Sequence, residues 1–125
     1  LNGRRAYSQC HVNHVTRVIV DGYEFDWEFW GQFHDLIEKR DDNVWRLGNR
    51  TMVYEKDRLD PVHPDILPDD YFDDTDFSEF LPQVRFLGWR LKKNNIPPAK
   101  KLLTINSPEE ATLIQNAITW LNKDF

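Results

Sequence analysis

The sequence predicts an α+β fold. It reads as a single domain over residues 1–125, with a largely antiparallel sheet built from hairpins and two amphipathic helices at about 26–41 and 108–122. Three observations carry this expectation. Asp21-Gly22 sits between two β-prone runs and is a strong two-residue hairpin signal, since a type I′ turn needs positive φ at both central positions. "NSPEEATLIQNAITWL", residues 106–121, carries the start signals and the periodicity of a helix. A chain of 125 residues with 40 % hydrophobic side chains, among them 5 Trp and 8 Phe, can build a core despite 30 % charged residues.

The elements follow in order. In "HVNHVTRVIVDGYEFDW", residues 11–27, a two-residue turn sets Val20 opposite Tyr23 and Val18 opposite Phe25. Counting back by twos puts His14, Thr16, Val18 and Val20 on one face, the face expected to meet the core. A helix is expected next, with Asp26 as cap and Glu28 in its first turn. Trp30, Phe33 and Ile37 recur at helical spacing, with Phe29 and Leu36 widening the stripe. Gly31 costs such a helix about 1 kcal/mol relative to Ala, so packing has to hold it. "NVWRLGNRTMVYEK", residues 43–56, reads as a second hairpin turning at Gly48-Asn49.

An acidic Pro/Asp-rich loop segment follows at about 59–82, where Pro61, Pro64, Pro68 and Pro82 disfavour regular structure. A short helical turn is expected near residues 75–80, capped by Asp74 or Thr75. "QVRFLGWRL", residues 83–91, reads as a strand, "KKNNIPPAKK" as a loop and "KLLTI" as a short strand. The final helix has Ser107 as N-cap, Pro108 at its first position and Glu110 three residues after the cap, the pattern of a capping box. Ile114, Ala117, Ile118 and Leu121 form its expected buried stripe, flanked by Leu113 and Trp120.

The net charge of −5 is unevenly spread. Residues 59–80 hold eight acids and no Lys or Arg; residues 81–101 hold six Lys and Arg and no acid. Adjacent blocks of opposite sign attract within a Debye length of about 8 Å, so they neutralise each other or one of them faces a partner. Whole-protein mimicry of nucleic acid is excluded, because the rest of the chain carries all 16 Lys and Arg against only 13 of the 21 acids.

Metal chemistry finds little support, and no metal site or other cofactor is expected. Asp74, Asp76 and Ser78 match the first three ligands of a calcium loop, but its sixth position is Glu79 instead of glycine and its twelfth is Arg85 instead of glutamate. His11 and His14 have ligand spacing on a helix, yet on a strand they point to opposite faces. Cys10 is read as a small buried or half-buried residue. No nucleophile elbow, phosphate loop or dinucleotide motif occurs, which points away from an enzyme. "NRT", residues 49–51, is read as turn chemistry.

These readings converge on a small non-enzymatic protein-interaction module of inhibitor, adaptor or immunity type. Its expected partner-binding residues are Asp69, Asp70, Tyr71, Phe72, Asp73, Asp74 and Asp76, with Phe77 and Phe80 pinning the segment and Tyr71 and Phe72 left exposed as anchors. The alternative is a nucleic-acid-binding module on the basic 85–101 segment, using Trp89, Arg90, Lys92, Lys93, Lys100 and Lys101. A third reading is a small metal-dependent hydrolase drawing on His11, His14, His34 or His63. A single cysteine, no secretory pattern and no apolar run near the ~18 residues of a membrane span give a cytoplasmic expectation with no membrane partner.

Overall fold

A computed structural model of the chain describes residues 1–97 and 102–123. Three long strands, β1 (Arg5–Val20), β2 (Tyr23–Lys39) and β3 (Trp45–Pro61), form one antiparallel sheet in the order β1-β2-β3. Short 3-10 turns at Pro64–Ile66, Phe77–Glu79 and Pro82–Val84 lead into helix α1 (Arg85–Lys93), and helix α2 (Pro108–Leu121) closes the order. The architecture is α+β, with two helices.

The first hairpin forms as its turn chemistry demands. Asp21 has φ 54° and Gly22 φ 82°. The Lys39 N–H donates to the Arg4 carbonyl at 2.8 Å, which matches the register that faces Val20 with Tyr23. β1 and β2 therefore pair without a net slip from turn to tip.

Four expectations are corrected. Residues 26–41 are not a helix but most of β2. "YEFDWEF" alternates with period two, and Phe25, Trp27 and Phe29 are the buried set. That alternation, with its aromatic β propensity, outweighs the helical spacing of Trp30, Phe33 and Ile37. The second hairpin does not turn at Gly48-Asn49, because β3 runs unbroken through both residues. The chain instead reverses after β2, where Asn43 takes φ 62° and its N–H donates to the Arg40 carbonyl, while the Asp42 side chain accepts from the Val44 N–H. Residues 83–91, expected as a strand, instead hold the end of the Pro82–Val84 turn and most of α1. "KLLTI" is reduced to one parallel bridge, Tyr54 to Thr104, and its Lys101 lies outside the described residues.

Residue contacts cluster into two compact units, each taking a stretch of all three strands. The first comprises Leu1–Val12, Gly31–Tyr54 and Leu102–Phe125. Here α2 carries its expected start: the Ser107 hydroxyl accepts from the Glu110 N–H, and the Glu110 carboxylate reaches back to the Asn106 N–H. Ala117 is buried and Ile114 and Leu121 are half-buried, as are the flanking Leu113 and Trp120; of the expected stripe Ile118 alone departs, at 41 % exposure. The last turn of α2 has no basic residue of its own. Arg5 of β1 supplies one, donating to the Trp120 carbonyl at 2.7 Å and to that of Lys123 at 3.2 Å. Cations at this end complement the helix dipole. Buried Asp35 takes a two-pronged ion pair from Arg50, whose guanidinium lies over the Phe33 ring.

The second unit comprises Asn13–Trp30 and Glu55–Lys101. Its core is Val20, Phe25, Phe80 and Trp89. α1 opens without a side-chain cap at Val84. Asp57 on β3 replaces it: one carboxylate oxygen accepts from the N–H groups of Phe86 and Leu87, both at 3.0 Å, and from the Trp27 indole at 3.1 Å. Its other oxygen is buried with no partner among the described residues, and burial raises the carboxyl pKa above the ordinary value. α1 ends on left-handed Asn95, with Ile96 N–H returning to the Leu91 carbonyl and Asn95 N–H to that of Lys92.

Candidate functional site

The acidic segment lies within the second unit, and its aromatics do not behave as expected. Tyr71 and Phe72 are not an exposed pair. Both are half-buried against Phe25 and Trp89, with Phe72 to Trp89 ring centres 5.5 Å apart. The reason is the hairpin beneath them: Val18, Val20, Tyr23 and Phe25 present an apolar face that requires a cover. The Tyr71 hydroxyl donates to Asp21 in the hairpin turn at 2.8 Å, and its phenol pKa rises through burial and this bond. Phe77 and Phe80 share the short turn as expected, with Asp76 as its cap in place of Asp74 or Thr75.

The aspartates, by contrast, stay at the surface. Asp69, Asp70, Asp73 and Asp74 are exposed and have no side-chain hydrogen bond or ion pair among the described residues. Asp76 accepts from the Ser78 N–H and hydroxyl, which pulls its pKa down. One ion pair, Lys92 to Glu79, joins the acidic and basic blocks among the described residues. Lys93 is held by Asp21 at 2.9 Å. Among the described residues, eight acids of the first block therefore stand against four Lys and Arg of the second, with one ion pair between them.

Between the segment and α1 lies a cleft of about 500 Å³. Tyr71, Phe80 and Trp89 are among its lining residues, the last two buried. Exposed Asp74, Asp76 and Glu79 border it, and Lys92 and Lys93 stand among them. A second hollow of about 410 Å³ shares Glu79, Phe80 and Lys92 and continues to Ile96 and Pro97. Of the expected partner-binding residues, the cleft gathers Tyr71, Asp74 and Asp76. Thr75, Glu79 and Phe80 also line it and were not expected to; the acidic run was the one signal for Glu79.

The residues considered for nucleic acid are placed unfavourably for that role. Trp89 is 2 % exposed and offers no ring for stacking. Arg90 lies with its guanidinium 4.9 Å from the Trp27 ring centre, and Lys92 and Lys93 are held by carboxylates. Lys100 and Lys101 lie outside the described residues. The histidines are dispersed: His11, His14 and His63 are exposed, and no group of three His, Cys, Asp or Glu is placed to hold a metal among the described residues. Cys10 is an exposed free thiol instead of a buried one, since it occupies the outer strand of the sheet. No helix among the described residues is long and apolar enough to cross a membrane.

His34 in the first unit is buried, at 2 % exposure. The Tyr7 hydroxyl lies 2.6 Å from Nδ1 and Gln32 Oε1 lies 3.1 Å from Nε2. A neutral ring satisfies both contacts, with Tyr7 donating to Nδ1 and Nε2–H donating to Gln32. Burial lowers its pKa below 6.5, opposed by the nearby carboxylates of Glu110 and Asp35. The unfolded state then binds the proton more readily, so this stability is present above 6.5 and is lost as pH falls through the folded pKa. Urea midpoints between pH 7.5 and 5.5 should fall more for the wild type than for His34→Gln; parallel pH profiles would reject the assignment.

No protein-family model matches the chain, and no curated protein matches its sequence.

Proposed function

We propose that this chain is a small protein-interaction module, without chemistry of its own, that docks a basic surface of a protein partner through the carboxylates of residues 69–76. One observation carries the reading. Asp69, Asp70, Asp73 and Asp74 are exposed and unpaired among the described residues, on a segment that Tyr71 and Phe72 anchor to the core. An anchored segment presents its charges without a large ordering cost on binding, which favours affinity as well as electrostatic steering. An inhibitor, adaptor or immunity-type role fits this arrangement. A reducing, cytoplasmic setting fits an exposed Cys10 that remains a thiol.

The test is a double charge reversal, Asp73→Lys with Asp74→Lys. Neither side chain supports the fold, so the circular dichroism spectrum and the melting temperature should stay within error of wild type. Affinity purification from the native host should lose the partner, and the measured Kd should rise about tenfold or more, mainly through a slower on-rate. An unchanged partner and Kd would overturn the reading.

A further inference from the structure

We infer that residues 13–19 of β1 pair, strand to strand and antiparallel, with the same residues of a second copy of this chain. β1 is an outer strand of the sheet. The two-residue turn at Asp21-Gly22 and the bond from the Lys39 N–H to the Arg4 carbonyl fix which of its backbone groups meet β2. Even-numbered residues bond inward, and odd-numbered ones point their N–H and C=O away from the sheet. Arg5 keeps this phase, since Asn2 meets its backbone groups from the outer side. Asn13, Val15, Arg17 and Ile19, in the second unit, have no such backbone partner among the described residues.

This stretch lacks what protects a free edge. Sheets blunt their edges with proline, lysine and other charges. In the same unit, β3 carries Lys56, Arg58, Asp60 and Pro61. From Asn13 to Val20, β1 has no Pro, Gly or Lys, and its one Arg, Arg17, is held by Asp26 through bonds of 2.9 and 3.2 Å. Val15 and Ile19 are 54 % and 69 % exposed on the face opposite Val18 and Val20. Exposed β-branched side chains along an unpaired, proline-free strand favour pairing with another strand.

The occupant is a second copy because the stretch complements itself. A two-fold axis through Thr16, perpendicular to the sheet, sets Thr16 against the second copy's Thr16, a favourable cross-strand pair. Asn13 then faces the second copy's Ile19, and Val15 faces its Arg17, whose aliphatic stem covers the valine. All four outward residues of each copy are used, every such pair exchanging two backbone bonds. Moving the axis to Arg17 would oppose two guanidiniums, and moving it to Val15 would leave Ile19 without a mate in the stretch. With Arg17 neutralised by Asp26, no charge on the stretch selects an acidic or a basic peptide instead. Pairing this short buries less than the roughly 1,200–2,000 Å² of a standard interface, so the dimer is weak and reversible.

Sedimentation velocity on the full chain, from about 1 to about 300 µM, should show the mass rising from monomer toward dimer, with a Kd of about 10–100 µM. Val15→Lys sets a like charge against the second copy's Arg17, twice per dimer, and should weaken association about tenfold. Val15→Glu sets an opposite charge there and should stay within about twofold of wild type. Val15 is exposed, so both variants should keep the wild-type melting temperature. In a Cys10→Ser background, Thr16→Cys should give an intermolecular disulfide under mild oxidation. Its Cα atoms would stand about 4.5 Å apart across the axis, inside disulfide range. Asn13→Cys, far from the axis, should not cross-link. Equal effects of Val15→Lys and Val15→Glu, or equal cross-linking at the two positions, would each overturn the pairing. So would a monomer at every concentration, which would leave the edge to a strand of another protein. The dimer stands or falls independently of docking by residues 69–76.

Discussion

Asp57→Ala is expected to lower the free energy of unfolding by about 3–5 kcal/mol, a large share of the roughly 5–15 kcal/mol that holds a domain of this size together. The substitution strands three donors at once, since the Trp27 indole and the N–H groups of Phe86 and Leu87 all converge on one Asp57 oxygen. It also removes a carboxylate from the positive end of α1, where negative charge is stabilising. Urea titration followed by tryptophan fluorescence measures the loss. Asp57→Asn is the informative companion, because its amide oxygen can still accept all three bonds. Its cost should stay near 1 kcal/mol. Equal losses in the two variants would show that the donors are not what Asp57 serves. The pH dependence adds a check. Burial lifts this carboxyl above its ordinary 3.8, so the stability of the neutral form is complete below that value and is lost as pH rises through the folded pKa. The gap between wild type and Asp57→Asn should therefore narrow as pH increases.

Gly31→Ala should be comparably damaging for a steric reason. A Cβ on Gly31 would stand 2.4 Å from the Val53 carbonyl oxygen and 3.3 Å from the Met52 sulfur. The sulfur can move, but the carbonyl belongs to a paired strand next to fully buried Val53. Relief requires β2 and β3 to separate locally. Overpacking of this severity costs about 3 kcal/mol, or about 10 °C in Tm for a chain of this length. Gly48→Ala on β3 is the matched control: its nearest neighbour, the Leu36 carbonyl, would lie at 3.4 Å, and its Tm should move by no more than about 2 °C. Similar melting of the two variants would contradict the close approach at Gly31.

What could be read from the sequence was what is encoded locally. Asp21-Gly22 carries its own turn, and Ser107, Pro108 and Glu110 carry their own helix start, so the first hairpin and α2 were legible. β2 was misread because two periods overlap in it. The alternation of "YEFDWEF" is decisive in the structure, while Trp30, Phe33 and Ile37 supply a competing helical stripe. α1 was illegible for a different reason. Its N-cap position holds Val84, which offers no acceptor, and the acceptor stands on another strand. The site divides along the same line. Acids strung between prolines announce an exposed charged segment, and Asp69, Asp70, Asp73 and Asp74 are exposed. Which aromatics turn inward depends on the apolar face waiting for them, and nothing near Tyr71 in the chain reports the hairpin it covers.

The helix ends borrowed from the sheet also constrain the order of folding. The bond that starts α1 spans 29 residues, and the one that finishes α2 spans 115. Helices of 9 and 14 residues are marginal in isolation, and these two lack part of their own termination. Neither can be completed before the strands that hold Asp57 and Arg5 are in place. The sheet is therefore the template and the helices its late products. A chain whose decisive contacts are this remote belongs among the slow folders, in the millisecond-to-second range or beyond.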